Sequence, residues 1–85
     1  MKPVILVGHT HECPIHGPGT VTSGAANYVF NGEPVARVGD QTSCGAVITT
    51  GSPTYSVDGY AIAREGDETD HGGILTGGDA GWLLD

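Results

Sequence analysis

Asn31-Gly32-Glu33-Pro34-Val35-Ala36-Arg37-Val38-Gly39-Asp40-Gln41-Thr42-Ser43-Cys44-Gly45 returns twenty-seven residues later as Asp58-Gly59-Tyr60-Ala61-Ile62-Ala63-Arg64-Glu65-Gly66-Asp67-Glu68-Thr69-Asp70-His71-Gly72. Gly24, Val47 and Ile48 extend the match to Gly51, Ile74 and Leu75, so this is an internal repeat. A third copy is split between the ends of the chain. Pro3, Val4, Val7, Gly8 and Cys13 align with Pro34, Val35, Val38, Gly39 and Cys44 at a step of 31, four more than the regular step. Steps of 31, 27 and 27 close on the 85 residues. Asp85 takes the place of Asp58 and Asn31, and Met1 falls close to the equivalent of Gly32, so the two termini complete one unit. Three copies around a closed ring predict a pseudo-threefold object.

A chain of 85 residues makes a single domain, 1–85, with no length left for a fused effector domain, and a domain this small buries little of its surface. Five aromatic residues cannot fill a large core, and fifteen Gly and five Pro interrupt the chain too often for helices of ordinary length. An all-β protein with tight turns follows, and it needs a staple to be stable. The formal charge of −7, with three basic residues, excludes a nucleic-acid partner. One Lys precedes a short apolar stretch at the N-terminus, too little for a signal peptide or a membrane span. The expectation is a protein made in the cytoplasm and, if exported, exported without a cleaved signal.

Within one repeat, Ala46 to Thr50, Tyr55 to Val57 and Tyr60 to Arg64 read as short strands, and Asn31-Gly32 and Asp58-Gly59 as type I′ turns. Gly39-Asp40 and Gly66-Asp67 break the following strand, with each Asp placed to accept backbone hydrogen bonds. Arg37 and Arg64 recur opposite these acids and predict intramolecular pairing. Alternation sets Tyr28 and Phe30, Tyr55 and Val57, Trp82 and Leu84 on one strand face. These six side chains form one apolar layer, part core and part docking face, and Tyr28, Tyr55 and Trp82 mark the partner-binding positions.

Cys44 and His71 occupy one repeat position, and Cys13 lies at the same distance from its preceding glycine turn. The extra residues of the first copy bring His16. Cys13, His16, Cys44 and His71 then converge near the pseudo-axis as two thiolates and two imidazoles, the set that tetrahedral Zn²⁺ prefers. A Cys13–Cys44 disulfide is the competing reading, but it leaves unexplained why His stands at position 71. His9 replaces Asp40 and Asp67 and takes a turn or hydrogen-bonding role; His11 replaces Thr42 and Thr69 and is a reserve ligand. A closed four-ligand site is structural rather than catalytic, and its binding free energy, on the order of 10 kcal/mol, supplies the staple. No nucleophile elbow, carboxylate pair or phosphate loop is found, so the chain is read as a non-enzyme.

Pro34-Val35-Ala36-Arg37 and Ala61-Ile62-Ala63-Arg64, each followed by Gly-Asp and a Cys/His-Gly element, together with Cys13-Pro14-Ile15-His16-Gly17, resemble the PAAR-repeat family along the whole chain. The resemblance implies a conical β domain with a structural zinc site near its point. It also implies a broad base that caps the trimeric VgrG spike of bacterial type VI secretion, with contractile-phage tail spikes as relatives. One chain, monomeric when free, would cap one trimer, help to puncture a target membrane in transient contact with it, and travel outward with the apparatus and with any effectors. A free zinc-binding protein and a phage-like spike tip are the alternatives. Two departures stand out: Gly8-His9 replaces Gly-Asp, and family metal sites often hold three His and one Cys, which keeps His11 in play against Cys13.

Overall fold

A computed structural model describes all residues, Met1–Asp85, and contains strands and turns but no helix. The strands are β1 (Lys2–Val4), β2 (Thr10–Cys13), β3 (Gly17–Thr20), β4 (Val29–Phe30), β5 (Glu33–Pro34), β6 (Ser56–Val57), β7 (Tyr60–Ala61), β8 (Ile74–Leu75) and β9 (Asp79–Leu84). Three equivalent antiparallel pairs report the repeat. β4 pairs with β5 through Phe30↔Glu33 and Val29↔Pro34, and β6 with β7 through Val57↔Tyr60 and Ser56↔Ala61. β9 and β1, from opposite ends of the chain, pair through Leu84↔Lys2 and Leu83↔Pro3 in the same register. The split copy is therefore rejoined in space. At the two intact turns the chain adopts left-handed φ at both central residues, 53° and 85° at Asn31-Gly32 and 54° and 83° at Asp58-Gly59, as a type I′ turn requires.

The strands are shorter than the sequence pattern implies. Only 15 of the 44 backbone hydrogen bonds fall within them, because the chain crosses from copy to copy every few residues. Ala46 to Thr50 forms no strand; Val47 and Ile48 make isolated bridges to Gln41 and Thr69. The remaining bonds are themselves threefold. Ile5 N–H donates to Ala63 O, Ala63 N–H to Ala36 O and Ala36 N–H to Ile5 O, at 2.9 to 3.0 Å, closing a ring around the axis. Further out, Val7, Val38 and Glu65 donate to Pro34, Ala61 and Pro3. Such a ring satisfies backbone groups at the centre of a domain too small to cover an open edge.

Side chains stack along this axis in sets of three. Val4, Val35 and Ile62 join Val57 and Leu84 in one buried cluster, against which Phe30 and Trp82 pack. Ile5, Ala36 and Ala63 join Val21, Ile48 and Leu75 in a second. Beyond that lie His11, Thr42 and Thr69, all buried and set against Leu75, Val21 and Ile48 by strand pairing or bridges. The axial sets run from aromatic rings through Val and Ile to Ala and Ile and then to Thr and His, and the molecule is a short cone of 29 × 23 × 22 Å.

The arginine pairs form as the repeat predicts. Asp67 accepts from the Arg64 amide (2.6 Å), Nε (3.0 Å) and Nη2 (2.9 Å), while Asp40 accepts from the Arg37 amide (2.7 Å) and Nε (3.4 Å). Leu6 stands where the arginines would, and His9 Nδ1 accepts its amide at 3.1 Å. With no cation to pair, the first copy uses a neutral acceptor where the others use carboxylates.

Candidate metal centre

Cys13 ends β2, and the three-residue loop Pro14-Ile15-His16 carries the chain into β3, with Cys13↔Gly17 in register. This arm is what the longer first copy adds. In the other copies the same level is a tight turn, closed by Gly45 N–H to Thr42 O and by Gly72 N–H to Thr69 O, both 3.0 Å. These turns present Cys44 and His71 toward the axis. All four predicted ligands come together: one donor atom from each of Cys13, His16, Cys44 and His71 lies within 4.8 Å of all the others.

The spacing tests whether a metal fits. Cys13 Sγ stands 3.7 Å from His16 Nδ1 and 3.9 Å from His71 Nδ1, and Cys44 Sγ 3.8 Å from His71 Nδ1. A tetrahedral ion with sulfur at about 2.3 Å and nitrogen at about 2.0 Å separates such donors by about 3.5 Å. These separations are a few tenths of an ångström wider, and the two S and two N donors can hold a metal ion. Both cysteines are free thiols, which answers the disulfide reading. The Cys44 thiol is lowered to about 5, first by the Thr42 hydroxyl at 3.3 Å, against the opposing effect of burial, with help from the Ala46 amide and the imidazoles of His71 and His16. A thiol so placed is a thiolate at neutral pH, the form that binds metal. The other nitrogen of His71, Nε2, lies 4.0 Å from Asp70 Oδ1, beyond hydrogen-bond distance, and that oxygen accepts the Val47 amide at 2.9 Å instead.

His11 is not in this group. Its imidazole is fully buried, with Nε2 3.0 Å from Thr69 Oγ1 and Nδ1 3.9 Å from Cys44 Sγ. The alignment of His11 with Thr42 and Thr69 already held the signal, since those threonines are hydrogen-bonding residues one level inside the ligands.

At the other end of the axial stack, Trp82 gathers three of the other four aromatics. Its ring centroid lies 6.1 Å from Tyr28, 5.5 Å from Phe30 and 6.0 Å from Tyr55. Tyr28 and Tyr55 stay more than 40% exposed, whereas Val57 and Leu84 are core, so the predicted apolar layer divides into an outer and an inner set. An open groove of about 470 Å³ runs between Tyr28, Phe30 and Trp82.

A closed pseudo-threefold β cone thus carries a cysteine and histidine cluster that can hold a metal ion at one end and aromatic side chains at the other. A family model described as the PAAR motif matches residues 1–50, more than half of the chain, and the protein belongs to the PAAR family. Residues 51–85 lie beyond that match but repeat its pattern. No curated protein matches the chain.

Proposed function

We propose that this protein is a spike tip: it caps the trimeric end of a VgrG-type spike protein of a bacterial type VI secretion apparatus, one chain per trimer. Zn²⁺ held by Cys13, His16, Cys44 and His71 fixes the point of the cone. Four protein donors fill a tetrahedral shell and leave no position for a reacting water, so the ion is structural and the protein is not an enzyme. The chain is made in the cytoplasm and leaves with the apparatus, sharpening it for passage through a target membrane.

The observation that carries this reading is the aromatic base. Tyr28, Tyr55 and Trp82 occupy equivalent positions of three copies, with Tyr28 and Tyr55 largely exposed. Membership in the PAAR family supports the same function. A true trimer presents three identical surfaces around its axis, and only a partner with matching pseudo-symmetry engages all of them. The short hairpins at this end also carry unpaired strand edges that an abutting β structure can satisfy.

Co-expression with a VgrG trimer tests it. Native mass spectrometry should find one chain per three spike chains. Tyr55→Asp should lower binding by at least tenfold, about 1.4 kcal/mol, while metal content stays at one equivalent. Loss of metal with spike binding intact would place the docking face at the wrong end, and no binding by the wild-type chain to its spike would remove the function itself.

A further inference from the structure

His11 departs from the threefold pattern at a level where the other two copies carry threonine. Thr42 serves the cluster directly, its hydroxyl 3.3 Å from Cys44 Sγ in the same copy. The larger imidazole of His11, in the first copy, crosses the axis and touches Thr69 of the third copy with Nε2 and Cys44 of the second with Nδ1. Space for the ring is made at position 73. A Cβ there would collide with His11 Nε2, and the equivalent residue of the second copy is Ala46. Bulk gained at 11 is matched by bulk removed at 73.

The sulfur decides where the imidazole proton sits. Thr69 Oγ1 accepts from the Gly73 amide at 3.2 Å and keeps its own proton and a second lone pair, so it can meet either tautomer of His11 at Nε2. An imidazole that accepts at Nε2 carries its proton on Nδ1, and Nδ1 faces Cys44 Sγ. A ligating thiolate accepts and does not donate, so this direction suits a metal-bound Cys44. The chain then runs from the Gly73 amide to Thr69, to His11 and to the sulfur, and every buried side-chain nitrogen and oxygen of the protein has a partner.

We propose that His11 is a positioning residue rather than a ligand: its Nδ1–H and the Thr42 hydroxyl hold the Cys44 sulfur in place for the metal, and Thr69 fixes the imidazole from behind. The proposal rests on the metal reading of the four-residue cluster. Partners of this kind cost about 10- to 100-fold in metal affinity when removed.

Two measurements test it. In the wild-type chain loaded with ¹¹³Cd, the ring protons of His16 and His71 should couple to the metal and those of His11 should not. Long-range ¹H–¹⁵N spectra should show the His11 proton on Nδ1. In parallel, His11→Leu, which fills the space without a donor, should lose about 10- to 100-fold in Zn²⁺ affinity by chelator competition. His11→Asn, whose amide nitrogen stands near the Nδ1 position, should recover most of that loss. Coupling of ¹¹³Cd to His11, a proton on Nε2, or unchanged affinity in His11→Leu would each overturn the proposal while leaving the metal centre intact. If His11→Leu does not fold, the two spectra decide alone. A wild-type chain that takes up no metal would overturn the centre and this role with it.

Discussion

At the scale of single residues, the clearest comparison is between two copies of one ion pair. Asp67 is nearly buried and meets Arg64 through two guanidinium nitrogens, whereas Asp40 meets Arg37 through one, at 3.4 Å. Arg37 divides itself further, approaching Asp58 at 3.7 Å and lying over the Tyr60 ring. Removing one partner of a buried pair strands the other charge, so Asp67→Ala should cost about 3 kcal/mol. Asp40→Ala should cost about 1 to 2 kcal/mol, the scale of a charged hydrogen bond. Acid titration adds a sign. Burial alone would raise the Asp67 carboxyl, but hydrogen bonds from the Arg64 side chain and amide and from Thr50 overcome it and hold it below the usual carboxylate range. A depressed folded value contributes stability that is complete above the unfolded value of about 3.9 and is lost as pH falls through the folded one. The stability difference between wild type and Asp67→Ala should therefore be flat from neutral pH to about pH 5 and shrink below about pH 4. Chemical denaturation at several pH values, on metal-loaded samples of both, reads it; a difference that grows in acid would show that the pair is not what Asp67 contributes.

The hairpins are the element on which sequence and structure can be compared most closely. Both intact turns hold left-handed φ at a glycine, and an added Cβ at Gly32 or Gly59 would meet no atom within 4 Å. The cost of substitution there is backbone conformation alone, about 1 to 2 kcal/mol for Gly59→Val. Gly32→Val should cost about the same, because the turns are equivalent, and thermal melts of the two variants check it. These turns were legible because Asn-Gly and Asp-Gly carry their conformation locally. The arginine pairs and the four-residue cluster were legible because the repeat converts sequence position into rotation about an axis. What could not be read is whatever breaks that rotation. Ala46 to Thr50 looks like a strand by composition, yet its bridge partners are single residues, Gln41 of its own copy and Thr69 of the next, and no local pattern encodes a bridge of one residue. Trp82 shares a repeat position with Tyr28 and Tyr55, but only its larger ring can touch both. His11 was held as a reserve ligand because histidine binds metals, although its repeat position aligned it with Thr42 and Thr69, which are buried.

For the whole molecule, two buried clusters of seven and six residues make a thin core, and the Cys/His group ties all three copies together beyond it. Stripping the metal should therefore unfold the domain or lower its melting temperature steeply, and His71→Ala should be as damaging as Cys44→Ala. Circular dichroism after chelation, beside metal analysis giving one equivalent before it, reads this; an unchanged melt would mean that the core suffices. The closed ring makes a sharper demand. β9 and β1 pair in the register of the two intact hairpins, so Asp85 and Met1 stand where Asp58-Gly59 and Asn31-Gly32 turn. Joining Asp85 directly to residue 1 and opening the chain between Asp58 and Gly59 should then give a folded permutant, since it moves the break from one copy to the next without changing the ring. The junction has a residue preference. Met1 would enter a position whose equivalents, Gly32 and Gly59, have φ of 85° and 83°, so an Asp-Gly junction made with Met1→Gly should be more stable than the Asp-Met junction by about 1 to 2 kcal/mol. Both permutants should bind one metal ion, because no ligand lies in either hairpin. Melting and metal content of the two decide the matter, and a permutant that folds only with extra linker residues would show that the ends of the chain do not complete a third turn.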